Sequence, residues 1–205
     1  QYSLPFSKII DINLDLASKL ATATTNYIVF PESAIQEEIW EGYLYKSLVI
    51  DNLNIELAKY PNASLVTGAT TYRLLDDKET PTNAARSFNN TGGKYYAFNT
   101  AFLIENNNDV QIHHKSKLTP GVEIMPSWWF LKPFERFAID LGGTTGTLGR
   151  EENSVAFYSK INESISPIIC YESVYGEFVA NSVKLGTGLI FVITNDGWWG
   201  DTPGY

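Results

Sequence analysis

Apolar residues recur along this chain with two alternating periods. Ile9, Ile12, Leu16 and Leu20 stand three or four apart, which predicts a helix with its apolar stripe on a core. Residues 27–30 then form an unbroken apolar run closed by Pro31, the pattern of a buried strand. Helical spacing returns over 43–60, with Ile50, Leu53, Leu57 and Tyr60 on one side, and a second strand follows over 65–69. Residues 94–104 and 109–114 predict a hairpin that turns through the Asn-rich 106–109. The stretch 116–153 is irregular, rich in Gly, Pro and aromatics, and too long for a plain connector; such segments carry function or move. Beyond it the pattern predicts strands near 154–158, at 164–170 and at 189–195, with a helix near 174–184.

This order predicts an α/β domain in which mixed sheets are covered by helices. The 205 residues make one domain, large enough to bury a core without staples. Apolar residues at 44% and charged ones at 19% read as globular. The net charge of −8 argues against nucleic acid as a partner, because phosphate binding needs a basic face. A single cysteine excludes an internal disulfide, and no run of about eighteen apolar residues is present to span a bilayer. The chain opens at Gln1 without a signal peptide and stops at Tyr205 after a turn-like segment. We expect a piece of a longer protein, cut at both ends, whose other parts carry any membrane segments.

Three residues with reactive side chains fall at or just after predicted strand ends, where sites of open α/β sheets collect. Cys170 follows the run 164–169; a lone cysteine is more often a buried inert thiol, but here the chain turns and Glu172 flanks it. At such a position the backbone N–H groups that follow, Tyr171 first, are free to hold an oxyanion. Glu32, after Pro31, reads either as a helix-start carboxylate or as a general base whose pKa a dry pocket raises. Lys115 alone is an ordinary lysine, like Lys117. Beside a thiol and a carboxylate it has two uses, lowering the thiol pKa and stabilising a tetrahedral anion. His113 and His114 are adjacent on a predicted strand, so at most one faces Cys170, and they make no metal motif. The glycine-rich 141–149 lacks both the lysine of a phosphate loop and the setting of a dinucleotide site.

These residues resemble the nitrilase (carbon–nitrogen hydrolase) superfamily, which uses a Glu-Lys-Cys triad in this chain order. Its three blocks resemble residues 30–34, 114–123 and 169–173, and the resemblance puts the general base on Glu32, the lysine on Lys115 and the nucleophile on Cys170. The fold it implies is an α-β-β-α sandwich. Within the superfamily the chain is most similar to the apolipoprotein N-acyltransferase branch, through residues 194–201, 137–143 and 149–151. The Pro-Phe-Gly-Glu usual after the lysine is Pro120-Gly-Val-Glu123 here, so a supporting role carries over to Glu123. Where the family often has histidine two residues after the lysine, this chain has Lys117.

The resemblance implies an acyltransferase of the bacterial inner membrane whose catalytic domain faces the periplasm. It would move a fatty acyl chain from a phospholipid, through a Cys170 thioester, to the N-terminal cysteine amine of an apolipoprotein. Glu123 and Glu172 would orient Lys115 and the incoming amine, and no metal or organic cofactor is implied. Trp128 and Trp129 read singly as core, and as a group in an irregular loop they suit contact with lipid. Two other expectations remain open: a soluble amidase or carbamoylase that hydrolyses a C–N bond, and a non-catalytic binding module on the same fold.

Overall fold

A computed structural model of the chain describes residues 5–88, 92–106, 109–120, 123–124 and 147–195. The elements run α1 (Phe6–Leu20), β1 (Tyr27–Val29), β2 (Ile35–Trp40), α2 (Leu48–Leu57), β3 (Ser64–Leu74), β4 (Arg86–Ser87), β5 (Lys94–Ile104), β6 (Val110–His114), β7 (Phe157–Tyr158), β8 (Ser164–Ile169), α3 (Gly176–Lys184) and β9 (Leu189–Ile193). They form two mixed sheets. In the first, β3 pairs β1 and β2 in parallel on one side and β5 antiparallel on the other, and β4 and β6 share the outer edge of β5. In the second, β8 pairs β7 antiparallel and β9 in parallel.

The alternation of side chains along β5 divides the molecule. Phe102 and Ile104 point to one face and pack with Leu65, Ile35, Leu53 and Leu57 beneath α1 and α2. Ala101 and Leu103 point to the other and meet Ile165, Ile169 and Ile193 of the second sheet. With α3 after the second sheet, the order of layers is α-β-β-α, as the family resemblance implied. Because β1, β6, β8 and β9 end on one side, their carboxyl ends meet, and Glu32 N–H donates to Thr194 O across the two sheets at 3.4 Å.

Several elements differ from the periodicity. The helix expected over 43–60 is a 3-10 turn (Glu41–Lys46) followed by α2, because Ser47 interrupts it and its Oγ accepts from Ile50 N–H as a cap. The strand expected at 65–69 continues to Leu74, since its partner β5 is equally long. β2 and β4 carry Gln36, Glu37, Glu38 and Arg86, and without an apolar run they gave no strand signal. Only Phe157–Tyr158 of the expected 154–158 is strand.

In α1 the apolar stripe is turned: Ile9 and Ile10 are buried, with Leu14 and Ala17 against the core, while Ile12, Leu16 and Leu20 are exposed. A helix that is apolar on two faces does not say which one packs. The contrast predicts that Leu16→Ser leaves stability nearly unchanged, whereas Phe102→Ala costs about 3–5 kcal/mol, read by chemical denaturation of the two variants side by side.

Candidate active site

Each sequence-predicted triad residue is delivered by a strand end. Glu32 lies three residues past β1, in a tight turn whose next residue, Ser33, is left-handed at φ 55°. Lys115 directly follows β6, its N–H bound to Asn99 O at 2.8 Å. Cys170 directly follows β8 and opens a 3-10 turn (Cys170–Val174) with φ 46°. A non-glycine residue held left-handed costs about 1–3 kcal/mol and persists only where its surroundings impose it.

The structure brings the three together. Lys115 is 1% exposed, and its Nζ stands 3.1 Å from Glu32 Oε1 and 3.0 Å from Glu123. Asn99 Nδ2 donates to both carboxylates, at 2.7 Å to Glu32 and 2.9 Å to Glu123. Glu123 also receives Thr119 N–H at 2.7 Å, which ties its loop to the lysine. The side chains of Glu32 and Thr194 face the Cys170 thiol. Burial works against the Lys115 ammonium, but Glu32 and Glu123 outweigh it and hold its pKa above the ordinary lysine value. The thiol moves up as well, first through burial and then through the negative charge of Glu32, with Lys115 pulling the other way. This corrects one expectation: Lys115 does lower the thiol pKa, but the net effect of the site is upward. The resting form is therefore a neutral thiol beside a protonated lysine, and attack by sulfur requires a base that accepts its proton. Glu32 is the carboxylate in position.

Glu172 serves the backbone. It is fully buried; Oε1 accepts Ser116 N–H at 2.5 Å and Oε2 accepts Ile169 N–H at 2.8 Å. One carboxylate thus joins the residue after Lys115 to the residue before Cys170. His113 Nε2 stands 3.3 Å from it, and Glu151 lies 3.8 Å from His113 Nδ1, within ion-pair range. His114 faces the opposite side, paired with Glu41 at 2.7 Å and stacked on Phe98. Tyr171 sits second in the 3-10 turn, where an N–H has no partner inside the turn. Trp128 and Trp129 lie outside the described residues, as does most of the 194–201 block.

Sequence reasoning missed three contributors. Asn99 was one polar residue inside a strand. His113 was set aside as a metal ligand, though its fit is to a carboxylate. Gly68 of β3 is bare because a Cβ there would lie 2.6 Å from Glu32 Cα and 2.7 Å from Ser33 N. Its glycine inside an otherwise regular strand was the available signal of close backbone approach.

A buried ammonium between two carboxylates, beside a thiol at the ends of paired sheets, is the arrangement of a nitrilase-type α-β-β-α protein. The chain belongs to the carbon-nitrogen hydrolase family, whose model matches residues 1–205. Its curated relatives include the apolipoprotein N-acyltransferase of Chlorobaculum tepidum, 31% identical over 118 residues that cover 56% of this chain and 22% of that protein. That of Rickettsia typhi is 27% identical over 198 residues, covering 94% of this chain and 33% of that protein. The chain thus spans about a third or less of the length of these relatives. Among solved structures, an amidase from Nesterenkonia sp. superposes with a TM-score of 0.56 at 14% identity, covering 93% of this chain and 60% of that one. A CN-hydrolase superfamily protein from Xanthomonas campestris gives 0.54 at 14%, covering 92% and 59%. These likenesses are of fold.

Two expectations follow from the charges. Alkylation of Cys170 by iodoacetamide will titrate above the range of a free thiol. Glu32→Gln will lower that inflection and speed alkylation several-fold at mildly alkaline pH, and Lys115→Met will raise it; opposite movements would show that the charges are not coupled to the thiol. The second concerns His113. Burial disfavours its charged form, but Glu151 and Glu172 prevail and raise its pKa above the usual value near 6.5. A raised folded-state pKa stabilises fully below the unfolded value and is lost as pH rises through the folded one. The gap in melting temperature between wild type and His113→Gln will therefore be widest near or below about pH 6 and narrow toward alkaline pH.

Proposed function

We propose that this chain is the catalytic domain, residues 1–205, of an acyltransferase that N-acylates lipoproteins. The observation that carries the reading is the Glu32–Lys115–Glu123 cluster at the Cys170 thiol, and the names of the relatives supply the substrate class. In the first step Glu32 accepts the thiol proton as sulfur attacks an ester carbonyl of a phospholipid. Lys115 Nζ and the N–H of Tyr171 receive the developing oxyanion. The tetrahedral species collapses, the lysophospholipid oxygen takes the proton back from Glu32, and a thioester remains on Cys170. In the second step the α-amine of an apolipoprotein's N-terminal cysteine attacks the thioester and gives its proton to Glu32. The sulfur leaves and recovers that proton, and an amide is formed.

On this reading the chain is part of a longer protein set in a bacterial inner membrane, with this domain on the periplasmic side. Glu123 keeps Lys115 charged and oriented. Glu172, held by two backbone N–H groups, positions the nucleophile turn and is not a ligand for the incoming amine. Trp128 and Trp129, in the long stretch after Glu123, would touch lipid.

The test is the intact mass of the full-length protein after exposure to phospholipid, beside Cys170→Ala. A fatty-acyl increment present in wild type and absent from the variant is expected. Absence of the adduct, with turnover of small amides instead, would replace this reading with that of an amidase.

A further inference from the structure

The face of the first sheet that carries Asn99 continues past the triad into a cluster of aromatic rings. Trp40 stands opposite Tyr72, Tyr72 opposite Ala97, and Arg86 opposite Tyr95. Residues directly opposite in a sheet share a face, and so do Tyr95, Ala97 and Asn99 along β5. All of these side chains therefore lie on the side from which Asn99 reaches Glu32. Trp40 and Phe88 stack at 5.7 Å, Phe88 meets Tyr95 at 4.7 Å, and Tyr72 lies 5.4 Å from Trp40 and 6.0 Å from Tyr95. The four rings are half-buried.

Arg86 enters this cluster with an unmet requirement. Among the described residues its Nε and Nη2 are shielded from solvent and have no hydrogen-bond partner. Buried polar groups are nearly always partnered, so a guanidinium left open beside a catalytic face marks a place for an acceptor. Four rings alone would suit a cation. With Arg86 opposite Tyr95 and its charge acting on Tyr72, an anion fits instead. Burial raises the Tyr72 phenol pKa first, the exposed Glu38 adds to this and Arg86 opposes it, so both charges act on the ring cluster. A guanidinium presents a planar fork of N–H donors that matches phosphate oxygens, and rings beside it receive methylene groups.

We propose that Arg86, with Trp40, Tyr72, Phe88 and Tyr95, forms the subsite for the phosphodiester of the acyl donor. This rests on the reading that the donor is a phospholipid. From Tyr95 to Asn99 the strand advances four residues, roughly 13 Å at about 3.3 Å each. An arginine side chain and the donor's glycerol are together long enough to cover that distance. Leu118 and Leu148, packed on Ala97 and Tyr72, provide the apolar floor between phosphate and thiol. The subsite fixes the ester relative to Cys170 and favours a donor with a phosphate over a neutral glyceride.

The experiment uses the full-length protein in detergent, as wild type, Arg86→Lys and Arg86→Ala. Acylation of Cys170 is followed by mass from phosphatidylglycerol and from a diacylglycerol with the same chains. Wild type will prefer the phospholipid by about tenfold or more, the worth of one charge-assisted hydrogen bond. Arg86→Ala will lose that preference through a slower reaction with the phospholipid, and Arg86→Lys will retain part of it. Equal slowing with both donors, or an undiminished preference, would overturn the subsite. If neither donor acylates wild type, lipid acyl transfer itself fails, and glycerol 3-phosphate then decides the subsite. Protection of Cys170 from iodoacetamide in wild type but not in Arg86→Ala supports it; absent or equal protection overturns it.

Discussion

The ammonium of Lys115 is the charge around which the rest of the site is arranged. At 1% exposure it has almost no water, and an ion so placed survives only with close counter-charges. Two carboxylates supply them, each itself largely buried, so neither is tolerable without the lysine. Removing one partner of such a group leaves an uncompensated charge and costs about 3–5 kcal/mol. The surrounding backbone follows from this requirement. Lys115 N–H and Asn99 O fix the lysine to β5, Asn99 Nδ2 steadies both carboxylates, and the bare Gly68 lets the turn carrying Glu32 approach β3. Hydrophobic burial between the sheets brings the strand ends near one another, and the ion cluster selects the arrangement in which they meet.

Glu172 does for the backbone what Glu123 does for the ammonium. Its two oxygens receive N–H groups from the lysine loop and from the end of β8, so the nucleophile turn cannot shift without the lysine. This lets Cys170 keep a left-handed φ that an isolated cysteine would abandon. His113 stands behind that carboxylate, its Nε2 at 3.3 Å, and Glu151 and Glu172 favour its charged form. The effect on Cys170 passes through Glu172, which makes His113 a positioning residue for the candidate nucleophile.

The parts of this protein legible in its sequence were those with a local signature. Pro31 after an apolar run, a lysine after a hairpin strand and a cysteine after β8 each marked a strand end, and those ends carry the candidate triad. Long strands such as β5 also declared themselves. The polar strand β2 and the short β4 did not, because their strand state comes from pairing with β3 and β5. The stripe of α1 was misjudged for a related reason: Ile12 and Leu16 keep helical spacing, but the sheet meets the neighbouring face, with Ile10 and Leu14. Asn99 and Gly68 owe their importance to what lies across the sheet. The net upward shift of the thiol was equally invisible, since it depends on burial and on Glu32 outweighing Lys115.

That shift bears directly on how such a site can run two half-reactions. At rest the Lys115 ammonium stands between the Glu32 and Glu123 side chains, beside a neutral thiol. In the proposed reaction the thiol proton moves to Glu32, and the negative charge that Glu32 gives up appears on the carbonyl oxygen next to Lys115. The net charge of the buried site is unchanged, and the charge travels only from one side of the ammonium to another. Such a transfer avoids the large cost of creating a new ion in a dry interior. A preformed thiolate would instead have to coexist with two carboxylates around one lysine. The thiol proton departs with the leaving oxygen, and in the second half-reaction a different proton would pass from the amine through Glu32 to sulfur. On the proposed reading one carboxylate would serve ester and amine chemistry alike, and what decides between a lipid donor and a small amide would lie outside the triad, on the surfaces that surround the thiol.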